Sequence, residues 1–269
     1  MLKFQFAILS LLVLLSYSFN FGNKESIMPV RALTCMSPAS EDPMIALFND
    51  PSFVAMHLSP IPINFQAKGK MISYPSPDEK NASAYLIKTE KKSNKWLFVF
   101  QEWWGLNDHI KKQADILFDE LNGEVNVIAL DLYDGFVTAD PKEAGAMIRN
   151  AKEERIESII KGATNYAGKK AKIANIGWCF GGAWSLRSGI LNGDHTIGTV
   201  MYYGMPVKDV DKLKTLNGDV LGLFATEQYI SKEIIEEFAA KMKEAGKELD
   251  YKIFNGVHGF ANPSNPKFD

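Results

Sequence analysis

The sequence predicts an α/β domain built on a mostly parallel central sheet with helices on both faces. Three observations carry this. Short apolar runs alternate with helical patterns between residues 95 and 254. Two runs of alternating pattern, separated by a Pro-rich turn, precede them. A glycine-rich turn, Gly177-Trp178-Cys179-Phe180-Gly181-Gly182, stands between one apolar run and the helical segment after it. Strands alternating with helices bury a parallel sheet under its crossover connections.

Each element follows from its local pattern. Residues 68–74 and 83–88 form an antiparallel pair through Pro75-Ser76-Pro77-Asp78. Residues 95–100 are a continuous apolar strand, and 107–121 a helix with Asn107 as its N-cap. Residues 125–130 form a strand. The stretch from Pro141 to about Ala167 is helical, as two helices or one bent one. Residues 171–176 form the strand that enters the glycine-rich turn, and 183–190 the helix that leaves it. Strands at 197–203 and 220–224 follow, with a short helix or loop between them through Leu216. On the helix 231–245, Ile234, Ile235, Phe238, Met242 and Ala245 share one face. Residues 249–254 are the last strand. No repeat, low-complexity run or linker interrupts residues 61–269, so they are predicted to be one domain.

The N-terminal part reads differently. Lys3 followed by an apolar run to Phe19 marks residues 1–22 as a signal peptide or an N-terminal anchor, hence an exported, periplasmic or secreted protein. Cleavage leaves no stable membrane contact. Residues 23–60 read as an N-terminal extension with one or two helical turns between 42 and 57. His57, within it, reads as a surface or packing residue. Cys35, after Ala32-Leu33-Thr34, fits a loose lipid-attachment pattern or a leftover thiol. Two cysteines make no disulfide framework, and a net charge of −2 gives no case for nucleic acid. No zinc-ligand spacing or phosphate-cradling loop is present.

The glycine-rich turn carries the chemistry. A strand, Gly-x-Cys-x-Gly-Gly and a helix are the context of a nucleophile elbow, where glycines let a sharp turn lift a nucleophile above the sheet. The competing reading is a βα turn around a buried structural cysteine. A cysteine nucleophile needs a base, a group that orients the base, and donors for an oxyanion. Of the four histidines, His195 and His258 follow Cys179 in the chain. His195 sits in a turn at the far end of the sheet. His258 follows the last strand and is the candidate base. Glu227 is the only acid in the loop after strand 220–224 and is the candidate orienter.

Four segments together resemble the dienelactone hydrolase family, cysteine hydrolases of the α/β-hydrolase fold. They are the Gly177–Gly182 turn, Gln101-Glu102-Trp103-Trp104-Gly105-Leu106-Asn107, Asp131-Leu132-Tyr133, and His258-Gly259-Phe260-Ala261. The resemblance implies Cys179 as nucleophile, His258 as base, backbone N–H groups of Phe180 and Trp103 as the oxyanion hole, and Glu102 beside the thiol. A carboxylate there keeps a thiol protonated at rest and can accept its proton when substrate arrives. Trp103, Trp104 and Trp178 wall an apolar pocket or fill the core. Tyr133 donates to substrate or is structural.

The chain departs from the family pattern in three places. The acid loop is one residue short, so Glu227 or Gln228 takes the acid's place depending on the end counted from; only Glu227 carries charge. The two arginines that hold the dienelactone carboxylate correspond to Gly135 and Asn262. The last helix usual in the family is lacking before Asp269. The expected activity is therefore hydrolysis of a small-molecule ester or lactone through an acyl-thioester, without a metal or organic cofactor. The rival readings are a non-catalytic binding protein on this fold and a thiol redox sensor.

Overall fold

A computed structural model describes residues 42–266, which lie within one compact unit, Ala39–Asp269. The predicted export segment at 1–22, the first part of the extension and Cys35 fall outside the described residues.

Eight strands form one sheet in the order β1-β2-β4-β3-β5-β6-β7-β8. They are β1 Lys70–Pro75, β2 Asn81–Ile87, β3 Lys95–Phe100, β4 Asn126–Leu130, β5 Lys172–Trp178, β6 Thr196–Tyr202, β7 Asp219–Ala225 and β8 Leu249–Phe254. β1 and β2 are antiparallel to their neighbours, and the remaining strands run parallel. The buried runs explain the centre: β4 is buried at every position, and β3 at every position after Lys95. Strands covered on both faces read as continuous apolar segments because neither face meets water.

The helices are α1 Pro43–Leu47, α2 Pro51–Ala55, α3 Asp108–Glu120, α4 Pro141–Asn150, α5 Glu153–Ala167, α6 Phe180–Asn192, α7 Val210–Lys214 and α8 Lys232–Glu244. Three of them start with the same signature. Asp42, Asp50 and Asp140 each cap a helix whose first residue is proline, so the missing proline N–H costs nothing and the carboxylate takes the next donors. Asn107 caps α3 through the Ile110 N–H. Residues 141–167 are two helices, because Ala151 and Lys152 are both extended and Glu153 and Glu154 then start a new first turn. None of the described helices is long and apolar enough to cross a membrane.

α1 and α2 pack as part of the same unit. Phe48, Phe53 and His57 are buried, and Arg187 of α6 pairs with Asp42 at 2.6 Å, with both side chains largely shielded from water.

The turn between β5 and α6 leaves no space for side chains at its glycines. A Cβ on Gly181 would stand 2.3 Å from both the Phe100 and Gln101 carbonyl oxygens, and one on Gly177 would stand 2.1 Å from the Gly181 oxygen. These neighbours are backbone and cannot swing aside. We expect Gly181→Ala to lower stability by at least ~1–3 kcal/mol, the usual cost of overpacking, read as a drop in Tm. An unchanged Tm would contradict this packing.

Candidate active site

The turn sets Cys179 at φ 57°, ψ −117°, a conformation that side chains rarely adopt. It is fixed from both directions. The Cys179 N–H donates to Tyr202 O at 3.0 Å, and its carbonyl accepts the Ala183 N–H at 3.1 Å. The Phe180 N–H donates to the thiol itself.

Three loops at the carboxyl ends of the strands meet there. His258 Nε2 lies 3.2 Å from Cys179 Sγ, and His258 Nδ1 lies 2.9 and 3.1 Å from the two oxygens of Glu227. A carboxylate contacted through both oxygens puts the ring proton on Nδ1 and turns a lone pair toward the sulfur. The loops after β7 and β8 are clipped together, since both the N–H and the hydroxyl of Thr226 donate to Phe254 O. The loop that is one residue short therefore still brings an acid to His258, and it is Glu227.

A second histidine faces the sulfur, and it corrects the sequence expectation for His57. This residue is not at the surface: it is buried, with Nε2 3.4 Å from Cys179 Sγ. Its Nδ1 lies 2.8 Å from Phe53 O, so that nitrogen carries the proton. The turn after α2 delivers it, together with an aromatic cover from the end of α1 and from α2. Phe48 stacks on Trp103 with centroids 4.8 Å apart, and Phe53 meets the edges of His258 and Tyr229 at 4.9 Å each. Cys179 is consequently only 1% exposed. A pocket of about 590 Å³ beside Trp184, Arg187 and Met205 does not include it.

Glu102 is fully buried at the end of β3, where Asn262 and Ser264 donate to it. Asn107 donates to Ser264 Oγ at 3.0 Å, and the Ser264 N–H donates to Asn262 Oδ1 at 2.7 Å. The α3 cap thus anchors the loop that carries His258. Asn262, at the site of a missing arginine, holds Glu102. Burial raises the Glu102 carboxyl to about 7 against these donors.

The remaining candidates divide. Trp103 and Trp104 are fully buried with ring centroids 4.5 Å apart, and Trp103 also contacts His57 at 5.0 Å. Tyr133 lies against Phe180 at 5.6 Å, near enough to the thiol to feel its charge, and its hydroxyl has no hydrogen-bond partner among the described residues. The Trp178 ring stacks on Tyr202 at 5.7 Å, and Tyr202 in turn packs on Tyr203 and Phe260. The sequence reading missed Tyr203, whose buried ring meets His258 at 4.9 Å. Its position just beyond β6, at the carboxyl edge, was the available signal.

Burial dominates the electrostatics. It pushes the Cys179 thiol well above its ordinary range, Glu102 adding to the shift and the Phe180 N–H opposing it. It lowers His258 and His57 to about 3, the nearby His258 ring contributing at His57. It raises Glu227 to about 8, while the ring N–H that Glu227 accepts favours the carboxylate. At rest the site holds a protonated thiol between neutral imidazoles.

A family model described as the dienelactone hydrolase family matches residues 82–269. The chain belongs to the dienelactone hydrolase family. Two relatives agree. Protein usf of Aquifex pyrophilus is 24% identical over 208 residues, covering 72% of this chain and 87% of that protein. A provisionally named carboxymethylenebutenolidase of Aquifex aeolicus strain VF5 is 24% identical over 209 residues, with the same coverage. The crystal structure of a provisionally named dienelactone hydrolase from Klebsiella pneumoniae superposes with a TM-score of 0.61 at 19% identity. It covers 74% of this chain and 92% of its own. The likeness shows the α/β-hydrolase fold.

Glu102 ranks second to burial among the causes that raise the thiol pKa. We expect Glu102→Gln to lower the thiol pKa while leaving it above that of a free cysteine, measured by the pH dependence of thiolate absorbance. No shift would separate Glu102 from the thiol.

Proposed function

We propose that the protein hydrolyses a small-molecule ester or lactone through an acyl-enzyme on Cys179. The observation that carries this is the continuous contact from Sγ to His258 Nε2 and from His258 Nδ1 to Glu227. The family and the name of the Aquifex aeolicus relative, a provisionally named carboxymethylenebutenolidase, point to the same reaction class. In this reading His258 takes the thiol proton as sulfur attacks the acyl carbon. The N–H groups of Phe180 and Trp103 receive the oxyanion, and the leaving alkoxide takes the proton back from His258. Water, deprotonated by His258, then cleaves the thioester and releases the acid. Glu227 holds the ring in the required tautomer and stabilises the imidazolium that forms. Glu102 keeps the thiol protonated until substrate displaces that balance.

Substrate chemistry follows from the walls. Trp103, Tyr133, Tyr203, Phe48 and Phe53 surround the reacting groups, so an apolar acyl portion fits. The positions of the two family arginines hold Gly135 and Asn262, and Asn262 is engaged by Glu102. A substrate carboxylate has no cation there, which argues against the dienelactone itself. Phe48, Phe53 and His57 must move for substrate to reach a thiol that is 1% exposed.

A panel of p-nitrophenyl esters and lactones tests the reading. Cys179→Ala should abolish turnover, and mass spectrometry should trap an acyl adduct on Cys179 in the wild type. Turnover that survives Cys179→Ala, or the absence of any adduct, refutes the mechanism. Glu227→Gln should lower kcat by up to ~10⁴, the loss seen when a triad acid is neutralised. His258 is already neutral throughout this range, and a raised acid is ionised only above its pKa. The rate should therefore increase as pH rises through about 8.

A further inference from the structure

We propose that His57, Cys179 and His258 form a binding site for one thiophilic divalent cation, represented by Zn²⁺, closed over the nucleophile by α2. The three candidate ligand atoms lie within 4.8 Å of one another, and all three residues are buried. They are 57, 179 and 258 in the chain, a spacing that no linear motif reveals.

Proton counting makes the case. His57 Nδ1 faces the Phe53 carbonyl, which only accepts, and His258 Nδ1 faces both oxygens of the Glu227 carboxyl, which only accept when it is ionised. Each ring proton is therefore on Nδ1, and each Nε2 presents a lone pair to the sulfur at 3.4 and 3.2 Å. The thiol has one proton for two lone pairs, so one of the two contacts has no hydrogen in it. A cation that replaces the thiol proton gives all three atoms a partner.

The donor set selects the ion. Two imidazole nitrogens and a thiolate suit Zn²⁺ and similar borderline-soft ions, and offer nothing to Mg²⁺ or Ca²⁺, which take oxygen. Zn–S and Zn–N bonds of ~2.3 and ~2.0 Å at a tetrahedral angle separate S from N by about 3.5 Å, close to the spacing present. The outer atoms are also in place. A metal-binding imidazole donates its other N–H to a carbonyl or carboxylate, and both rings here do so. Such an ion would tie α2 to the elbow. On the hydrolase reading it would also silence the enzyme, since it occupies the lone pairs of both the nucleophile and its base.

Binding is tested independently of turnover. The reduced, chelator-treated full chain is titrated with Co²⁺ at pH 8 and then with Zn²⁺. One equivalent of Co²⁺ should produce a thiolate-to-cobalt charge-transfer band that Zn²⁺ abolishes. Cys179→Ser should lose the band. His57→Gln should weaken Zn²⁺ binding by more than the ~10–100-fold that loss of an outer partner costs. Circular dichroism of both variants checks that they fold. No band, or Zn²⁺ affinity equal in wild type and both variants, overturns the site. So does thiolate absorbance in the metal-free protein at neutral pH, which would place a second proton between the groups instead. A band, together with no ester turnover by the metal-free protein, would leave the metal site standing and remove the hydrolase reading. Turnover without a band would do the opposite.

Discussion

The close approach of the β5–α6 turn to β3 is the constraint on which the site depends. Backbone meets backbone there, with Gly177 and Gly181 against each other and against Phe100 and Gln101. That packing forces Cys179 into its strained conformation and aims the Phe180 N–H at the sulfur. It also brings Glu102 and Trp103, which immediately follow β3, beside the nucleophile. One steric contact thus sets the positions of groups far apart in the chain, Glu102 and Cys179 among them.

Burial then sets the charge state. Water is excluded by Trp103, Tyr133, Tyr203 and the rings of α1 and α2, so every ionisable group at the centre is pushed toward its neutral form. A protonated thiol between neutral imidazoles is chemically quiet at rest. The hydrogen bonds into Glu102 from Asn262 and Ser264 only moderate the effect. They also show how Asn262 can occupy a cation's place: it supports a neighbouring acid.

The parallel sheet, its strand order in sequence and the Cys179, His258 and Glu227 positions were legible because each depends on local pattern and chain order. Apolar runs mark the buried strands, and the residues beyond β5, β7 and β8 must gather at one sheet edge. His57 was not legible. It reaches the sulfur across 122 residues, from the turn after a five-residue helix whose docking depends on Phe48 and Phe53 finding Trp103 and His258. No periodicity announces such a contact. The break at Ala151–Lys152 was undecidable from the sequence because nothing in it forbids helix.

The pair between Asp42 and Arg187 moors the first turn of α1 to α6, the helix that begins at the nucleophile. Asp42 also caps α1, so one carboxylate both starts the helix and fastens it. The cover is thus held at its leading end by the same helix whose origin it shields.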